Sequence, residues 1–96
     1  MNRSHAIELL RQGKETLAGR YGVTGLALFG STARDAARDV SDIDVLVAFD
    51  GPATSRRFFG VLFFLEDLLG ARVDLVTEKA LRPELRPIIE AEAVFV

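Results

Sequence analysis

The sequence predicts an α/β (α+β) fold, a single small domain in which a mixed β-sheet of about four strands is flanked by helices. The chain has 96 residues, which leaves room for one thin hydrophobic core. Its 49% of hydrophobic residues, with only 3 prolines, is typical of a globular chain and not of a disordered one. Apolar segments with helical spacing alternate with short β-rich runs in the order α-β-β-α-β-α-β. We therefore predict one domain that covers residues 1–96.

The first half of the chain predicts a helix followed by two strands. Apolar residues recur at helical spacing over residues 4–20, with Ser4 as the N-cap and Gly13 as a weak point in the middle. Residues 26–29 form a short, wholly apolar run, which is typical of a strand buried on both faces. The next β-rich run covers residues 44–49 and is closed by a turn at residues 50–52.

The second half predicts a helix, a strand and a mixed C-terminal segment. The helix covers residues 56–69, with Ser55 as its cap and Gly70 as its stop. Residues 72–77 form the third strand. Residues 81–90 are predicted to be helical in part, broken by Pro83 and Pro87, and the apolar residues 93–96 end the sheet.

Composition excludes several classes of protein. Lys and Arg number 12 against 14 Asp and Glu, and a net charge of −2 is the wrong sign for a domain that binds nucleic-acid phosphates. The absence of cysteine excludes a disulfide framework, a thiolate zinc site and a cysteine nucleophile. Glu66 and Asp67 interrupt the longest apolar stretch, and the first residues lack the apolar region of a secretory signal. We therefore expect a cytoplasmic protein that does not bind a membrane or nucleic acid directly.

Three aspartates lie on or beside the predicted second and third strands. Asp42 and Asp44 stand two positions apart, so strand alternation directs both to one side of the sheet. Asp74 repeats the pattern on the third strand, and the three carboxylates converge if these strands pair in register. Such like charges raise one another's pKa unless a cation lies between them, and an all-oxygen ligand set selects Mg²⁺ or Mn²⁺. Alternatively, Asp42 is an ordinary turn residue and the other two are solvated strand-end acids.

A glycine and a serine follow the first predicted strand directly. Gly30 would let the backbone approach phosphate oxygens closely, and Ser31 could donate both its N–H and its hydroxyl. Together with the aspartates, this pair favours a site for two metal ions and a nucleotide.

The spacing of these residues resembles a known superfamily. Gly30-Ser31 is followed by ten residues and then by Asp42-Ile43-Asp44, which resembles the glycine-serine and Asp-x-Asp signature of DNA polymerase β-like nucleotidyltransferases. Arg34 resembles the arginine that these proteins carry after the serine. The short chain and its C-terminal segment, residues 81–94, resemble the minimal nucleotidyltransferase (MNT) subfamily. One departure is Asp35, where relatives usually have glycine, although aspartate tolerates left-handed backbone.

The resemblance implies a role for each motif residue. Three residues would bind the nucleotide: Gly30, Ser31 and Arg34. Three would bind two Mg²⁺ ions and form the catalytic centre: Asp42, Asp44 and Asp74. The reaction implied is transfer of AMP from ATP to a tyrosine hydroxyl of a partner, a HEPN-domain RNase toxin, which the chain would neutralise as an antitoxin.

The resemblance also leaves two alternatives. The chain could be a binding-only antitoxin that covers its toxin and has a vestigial nucleotide site. Transfer to a small-molecule hydroxyl is disfavoured, because 96 residues leave no second domain to build an acceptor pocket.

Two phenylalanines lie outside the core-facing stripe of the helix over residues 56–69. At about 100° per residue, Phe59 and Phe63 fall well away from the stripe. Either the C-terminal segment folds over them or they form a protein interface, and a homo-oligomer remains open.

Overall fold

The computed structural model of the chain describes residues 1–36 and 42–96. Its elements in chain order are α1 (Arg3–Tyr21), β1 (Val23–Phe29), α2 (Gly30–Ala33), β2 (Ile43–Phe49), α3 (Ser55–Leu69), β3 (Val73–Thr77), a 3₁₀ turn (Glu78–Ala80), α4 (Arg86–Glu92) and β4 (Val94–Phe95). The predicted order is confirmed, with the short α2 as an addition.

The four strands form one mixed sheet in the order β3-β2-β1-β4. β1 pairs antiparallel with both β2 and β4, whereas β2 and β3 are parallel. A parallel pair needs a crossover connection, and α3 provides it. The predicted α+β class with a mixed four-stranded sheet is therefore confirmed.

The two faces of the sheet are covered unequally. Both long helices pack on one face, where α1 contributes Leu10 and Leu17 and α3 contributes Val61 and Leu65 to the main core. The opposite face carries a smaller cluster, in which Leu81, Ile89 and Ala93 of the C-terminal segment pack on Ala27 and Leu46. This second face is the thinly covered one, and we call it the open face.

Gly13 is the contact point between α1 and α3. A Cβ atom at this position would lie 2.7 Å from Leu68 Cδ2 and 2.9 Å from Phe64 Cε1. The low helix propensity of glycine is therefore offset by a closer approach of the two helices.

Both predicted N-caps are wrong. Asn2 caps α1 by accepting a hydrogen bond from the His5 N–H at 2.8 Å. Thr54 caps α3 by accepting from the Arg57 N–H at 3.2 Å. An N-cap has extended backbone, which Asn2 and Thr54 have, whereas Ser4 lies within α1. The predicted stop at Gly70 is confirmed by its left-handed φ of 63°.

The C-terminal helix lies later than predicted. Pro87 does not break it but occupies its first turn, where the missing N–H has no intrahelical partner to lose. In the described part of the chain, no helix has both the length and the apolar character needed to cross a bilayer.

Candidate active site

Asp44 and Asp74 are neighbours on the open face of the sheet. They are register partners on the parallel strands β2 and β3. Ile43 and Val45 are buried in the main core, so strand alternation directs Asp44 to the opposite side. The two carboxyl groups are close enough to share a hydrogen bond. From the sequence, convergence of these acids required that β2 and β3 pair in register, and the observed register brings the two together.

The pKa of the Asp44 carboxyl is raised from 3.8 to about 6. Burial is the largest cause, because it disfavours the charged form. The negative charge of Asp74 comes next, followed by the hydrogen bond between the two carboxyl groups and the charge of Asp42. The positive charge of Arg34 opposes these effects. A cation beside these carboxylates would offset the part of the shift that comes from the charges of Asp74 and Asp42.

Asp42 lies outside the strand pairing that joins the other two acids. It is exposed and precedes β2, so no strand pairing orients its side chain. Within residues 1–36 and 42–96, no group of three Asp, Glu or His side chains is arranged to hold a metal ion. The structure thus brings together two of the three predicted ligands and places the third close enough to raise the Asp44 pKa.

Gly30 lies directly against the Asp44 carboxylate. Phe29, the residue before it, is the register partner of Asp44 across β1 and β2. Gly30 has a φ of 72°, and a Cβ atom there would collide with Asp44 Oδ2 and lie 2.8 Å from its Cγ. Glycine is required here for both its backbone conformation and its lack of a side chain. Ser31 follows in the first turn of α2 and is partly buried.

Glu92 is a site residue that the sequence reasoning missed. Its Oε1 accepts a hydrogen bond from the Gly30 N–H at 3.1 Å, and its Oε2 accepts one from Arg34 Nη1 at 2.8 Å. One carboxylate at the end of α4 therefore contacts two of the three predicted nucleotide-binding residues. Nothing in the local sequence signals this contact, which depends on how β4 pairs with β1.

Asp35 adopts a left-handed backbone conformation. Its φ is 58°, as expected for a turn that tolerates aspartate. Its Oδ1 also accepts a hydrogen bond from the Arg3 N–H at 3.1 Å, which satisfies a donor at the start of α1. Aspartate at this position thus links the turn after α2 to the first helix.

Phe59 and Phe63 are exposed by 49% and 60%, and their rings stack at 6.2 Å. The C-terminal segment packs on the open face, so of the two alternatives the one in which it folds over these rings is wrong. The buried residues Val61 and Leu65 direct α3 toward the sheet, which leaves the phenylalanine pair on its outer side. This pair and Asp44 therefore lie on opposite sides of the domain.

The raised pKa of Asp44 gives a testable dependence of stability on pH. The Asp44 pKa is higher in the folded than in the unfolded state, so ionisation of this carboxyl destabilises the folded state. The free energy of unfolding therefore falls as the pH rises from about 4 to about 6, and it stays at the lower value above pH 6. Asp44→Asn should raise the free energy of unfolding at pH 7.5 by about 1 kcal/mol. This value is smaller than the free energy that corresponds to the whole pKa shift, because solvent screens a partly exposed carboxyl.

Urea unfolding in buffer with EDTA, at pH values from 4 to 8, measures this effect. The variant should lose most of the fall that the natural chain shows between pH 4 and pH 6. Asp67→Asn, at an exposed position of α3, is the matched control and should behave like the natural chain. Equal pH profiles for the natural chain and Asp44→Asn would contradict the assignment.

The mixed sheet carries its two long helices on one face. On the other face, a glycine-serine turn lies against the paired carboxylates of two strands. This combination defines a nucleotidyltransferase domain. The family model described as "Nucleotidyltransferase domain" matches residues 10–96. A solved structure assigned as a minimal nucleotidyltransferase superposes with a TM-score of 0.82 at 38% identity, covering 98% of this chain and 95% of that one.

Two further comparisons extend the likeness. The chain is 36% identical over 88 residues to the protein adenylyltransferase MntA of Thermococcus cleftensis, covering 92% of this chain and 89% of MntA. A chain of the solved complex between the tri-AMPylated HEPN toxin of Shewanella oneidensis and MNT antitoxin shares the fold, with a TM-score of 0.60 at 21% identity over 98% of this chain and 67% of that one. The protein belongs to the nucleotidyltransferase family, in its minimal form.

Proposed function

We propose that this chain transfers AMP from ATP to a tyrosine hydroxyl of a HEPN-domain RNase toxin in the cytoplasm, and so neutralises the toxin. The observation that carries the proposal is the pairing of Asp44 with Asp74 beneath the Gly30 turn, in a chain of the nucleotidyltransferase family. Relatives support the choice of a protein acceptor, since MntA of Thermococcus cleftensis is named a protein adenylyltransferase.

The acidic residues fit a hard divalent cation. The ligands are all carboxylate oxygens, and the negative charges of Asp74 and Asp42 contribute, after burial, to the raised pKa of Asp44. Asp44 and Asp74 would hold Mg²⁺, with Mn²⁺ as a substitute, and Asp42 would complete a site for two ions by turning its exposed side chain toward the pair. Ions held there would supply positive charge to neutralise the phosphates and to make the acceptor hydroxyl easier to deprotonate.

The residues of the chain orient the reacting groups. Ser31 and Arg34, on the turn that begins at Gly30, hold the triphosphate so that its α-phosphorus faces the acidic pair. The tyrosine oxygen forms a new bond to the α-phosphorus while the bond to the bridging oxygen breaks, and pyrophosphate leaves. Asp74, the exposed member of the pair, lies at the side from which the hydroxyl approaches and takes its proton.

The position of the catalytic residues on the open face favours an acceptor that a partner supplies. The catalytic residues occupy the thin open face, and the domain measures only 19 Å along its shortest axis. The Shewanella oneidensis complex, in which the HEPN toxin is AMPylated and bound to MNT antitoxin, supports a HEPN partner for this fold.

The stacked pair Phe59 and Phe63 is our proposed docking surface for the partner. Two adjacent exposed aromatic rings on a small domain are the type of patch that protein interfaces use. They lie on the side opposite Asp44, so docking and transfer would use separate surfaces. A partner would then remain bound when the catalytic residues are replaced.

Replacing both Phe59 and Phe63 by serine should weaken the complex with the HEPN partner at least about 100-fold, because central aromatic residues dominate interface energy. The melting temperature should not fall, since neither ring belongs to the core. Calorimetric titration with the purified partner measures the affinity.

Ile88→Ser is the matched control, because Ile88 is 64% exposed but lies on α4. It should retain full affinity. An unchanged affinity in the double variant would remove these phenylalanines from the interface, and a large loss of stability would place them in the core.

A binding-only antitoxin is the second candidate. It is favoured by one observation, that Glu92 already occupies the Gly30 N–H and Arg34 Nη1, which a phosphate would otherwise use. Toxin activity separates the candidates. If neutralisation survives Asp42→Ala and Asp44→Ala in full, the partner is blocked by binding alone.

A further inference from the structure

Glu92 connects the C-terminal helix to the turn that precedes the acidic pair. We propose that Glu92 is a positioning residue for the triphosphate, which holds the Gly30 turn and the Arg34 guanidinium in their binding arrangement before the nucleotide arrives. This inference rests on the proposed function, because it assigns Glu92 a part in nucleotide binding.

The sheet holds Glu92 in place. Val94 of β4 is the register partner of Leu28 in β1. Glu92 ends α4 two residues before Val94, and Gly30 directly follows β1, so this pairing brings the end of α4 next to the start of α2. The Glu92 side chain is only 25% exposed. The carboxylate is therefore carried to the turn by backbone pairing, and a change of side-chain rotamer would leave its backbone there.

Gly30 needs such a constraint. A glycine moves freely among backbone conformations, and this one must keep a φ of 72° with the Asp44 carboxylate against its Cα. The hydrogen bond from its N–H to Glu92 Oε1 restricts that freedom. Glu92, and not a phosphate oxygen, is then the partner of the Gly30 N–H, and Ser31 supplies the backbone donor for the phosphates.

Arg34 needs a constraint for a different reason. Its side chain is 55% exposed and long, so it would sample many rotamers in solution. The charge-assisted bond from Nη1 to Glu92 Oε2 holds it on the side of Asp44, whose pKa its charge lowers. A guanidinium has five N–H donors, so an arginine held through Nη1 can still donate to phosphate. Because Arg34 is already ordered before the nucleotide binds, the entropic cost of ordering it does not reduce the affinity for the nucleotide.

The test is titration of the full chain with ATP and with inorganic tripolyphosphate, each with Mg²⁺, by calorimetry. Glu92→Ala should raise both dissociation constants about tenfold at unchanged stoichiometry. Glu92→Gln should raise them less, about threefold, because its amide oxygen still accepts from the Gly30 N–H but the charge pair with Arg34 is lost. Glu90→Gln is the matched control, since Glu90 lies on the same helix and pairs with Arg86, and should leave both constants unchanged.

Kinetics give a second readout. In the transfer assay, Glu92→Ala should raise KM for ATP about tenfold and change kcat by less than about threefold. A merely structural role would instead lower the binding stoichiometry and the melting temperature. Where the alanine variant does not fold, the near-isosteric glutamine variant decides alone.

Three results would overturn the inference. Unchanged dissociation constants in Glu92→Ala, or in a folded Glu92→Gln, would show that Glu92 does not position the triphosphate-binding residues. Tighter binding would show that the Glu92 carboxylate competes with phosphate. Either result leaves the proposed function intact if the natural chain binds ATP and transfers AMP. Failure of the natural chain to bind ATP or tripolyphosphate would overturn the inference and the proposed function together.

Discussion

Replacing Asp44 by alanine is expected to lower the rate of AMP transfer to the HEPN partner at least about 1000-fold, because the Asp44 carboxylate pairs with Asp74 and lies directly against Gly30. Single-turnover incubation with labelled ATP and Mg²⁺ measures the rate. Asp42→Ala should cause a loss of similar size if the exposed Asp42 turns toward the nucleotide.

Two controls make this result specific. Asp67→Ala removes an exposed acid of α3 and should leave the rate unchanged. The affinity for the partner should also stay constant in Asp44→Ala, because the phenylalanine pair lies on the other side of the domain. A variant at Asp44 that keeps more than about a tenth of the rate would exclude it from the catalytic centre.

Gly30→Ala is expected to abolish transfer as fully as the loss of Asp44. The added methyl group would collide with the Asp44 carboxylate, so either the turn or β2 must move. Left-handed backbone costs a residue with a Cβ atom about 1 to 2 kcal/mol in addition. The expected result is a melting temperature lowered by several degrees together with the loss of transfer, measured on the same preparation.

Gly70→Ala separates the effect of backbone strain from the effect of the collision with Asp44. Gly70 has a nearly equal φ of 63°, but nothing lies within 4 Å of the position that its Cβ atom would take. The control should lose about 1 kcal/mol of stability from the backbone alone and keep full transfer activity. Equal activity losses in the two variants would mean that strain, and not the contact with Asp44, causes the defect.

Apolar patterning was sufficient to predict the strands, whereas helix starts depended on local geometry. Residues 26–29 and 44–49 lie within β1 and β2, because short runs rich in apolar and β-branched residues are typical of buried strands. The N-caps were each misplaced, since Asn2 and Ser4, or Thr54 and Ser55, are chemically equivalent candidates. Which of them caps is decided by where the backbone becomes helical.

The residues of the candidate site that belong to the sequence motif were predictable from their spacing, whereas the contacts between them were not. The sequence placed Asp44 and Asp74 on strands, but their contact required a parallel register, which depends on the crossover through α3. The need for glycine at position 30 was visible from the motif, while its collision with Asp44 was not. Glu92 was invisible because its partners lie 62 and 58 residues away and meet it only through β4.

The measurement that tests the central claim most directly is the intact mass of the HEPN partner after incubation with this chain, ATP and Mg²⁺. We expect the partner to gain the mass of one or more AMP groups, with the modification on a tyrosine and with release of pyrophosphate. The gain should be absent with Asp44→Ala and present with Asp67→Ala. A partner that is neutralised without any gain in mass would contradict the claim and identify the chain as a binding-only antitoxin.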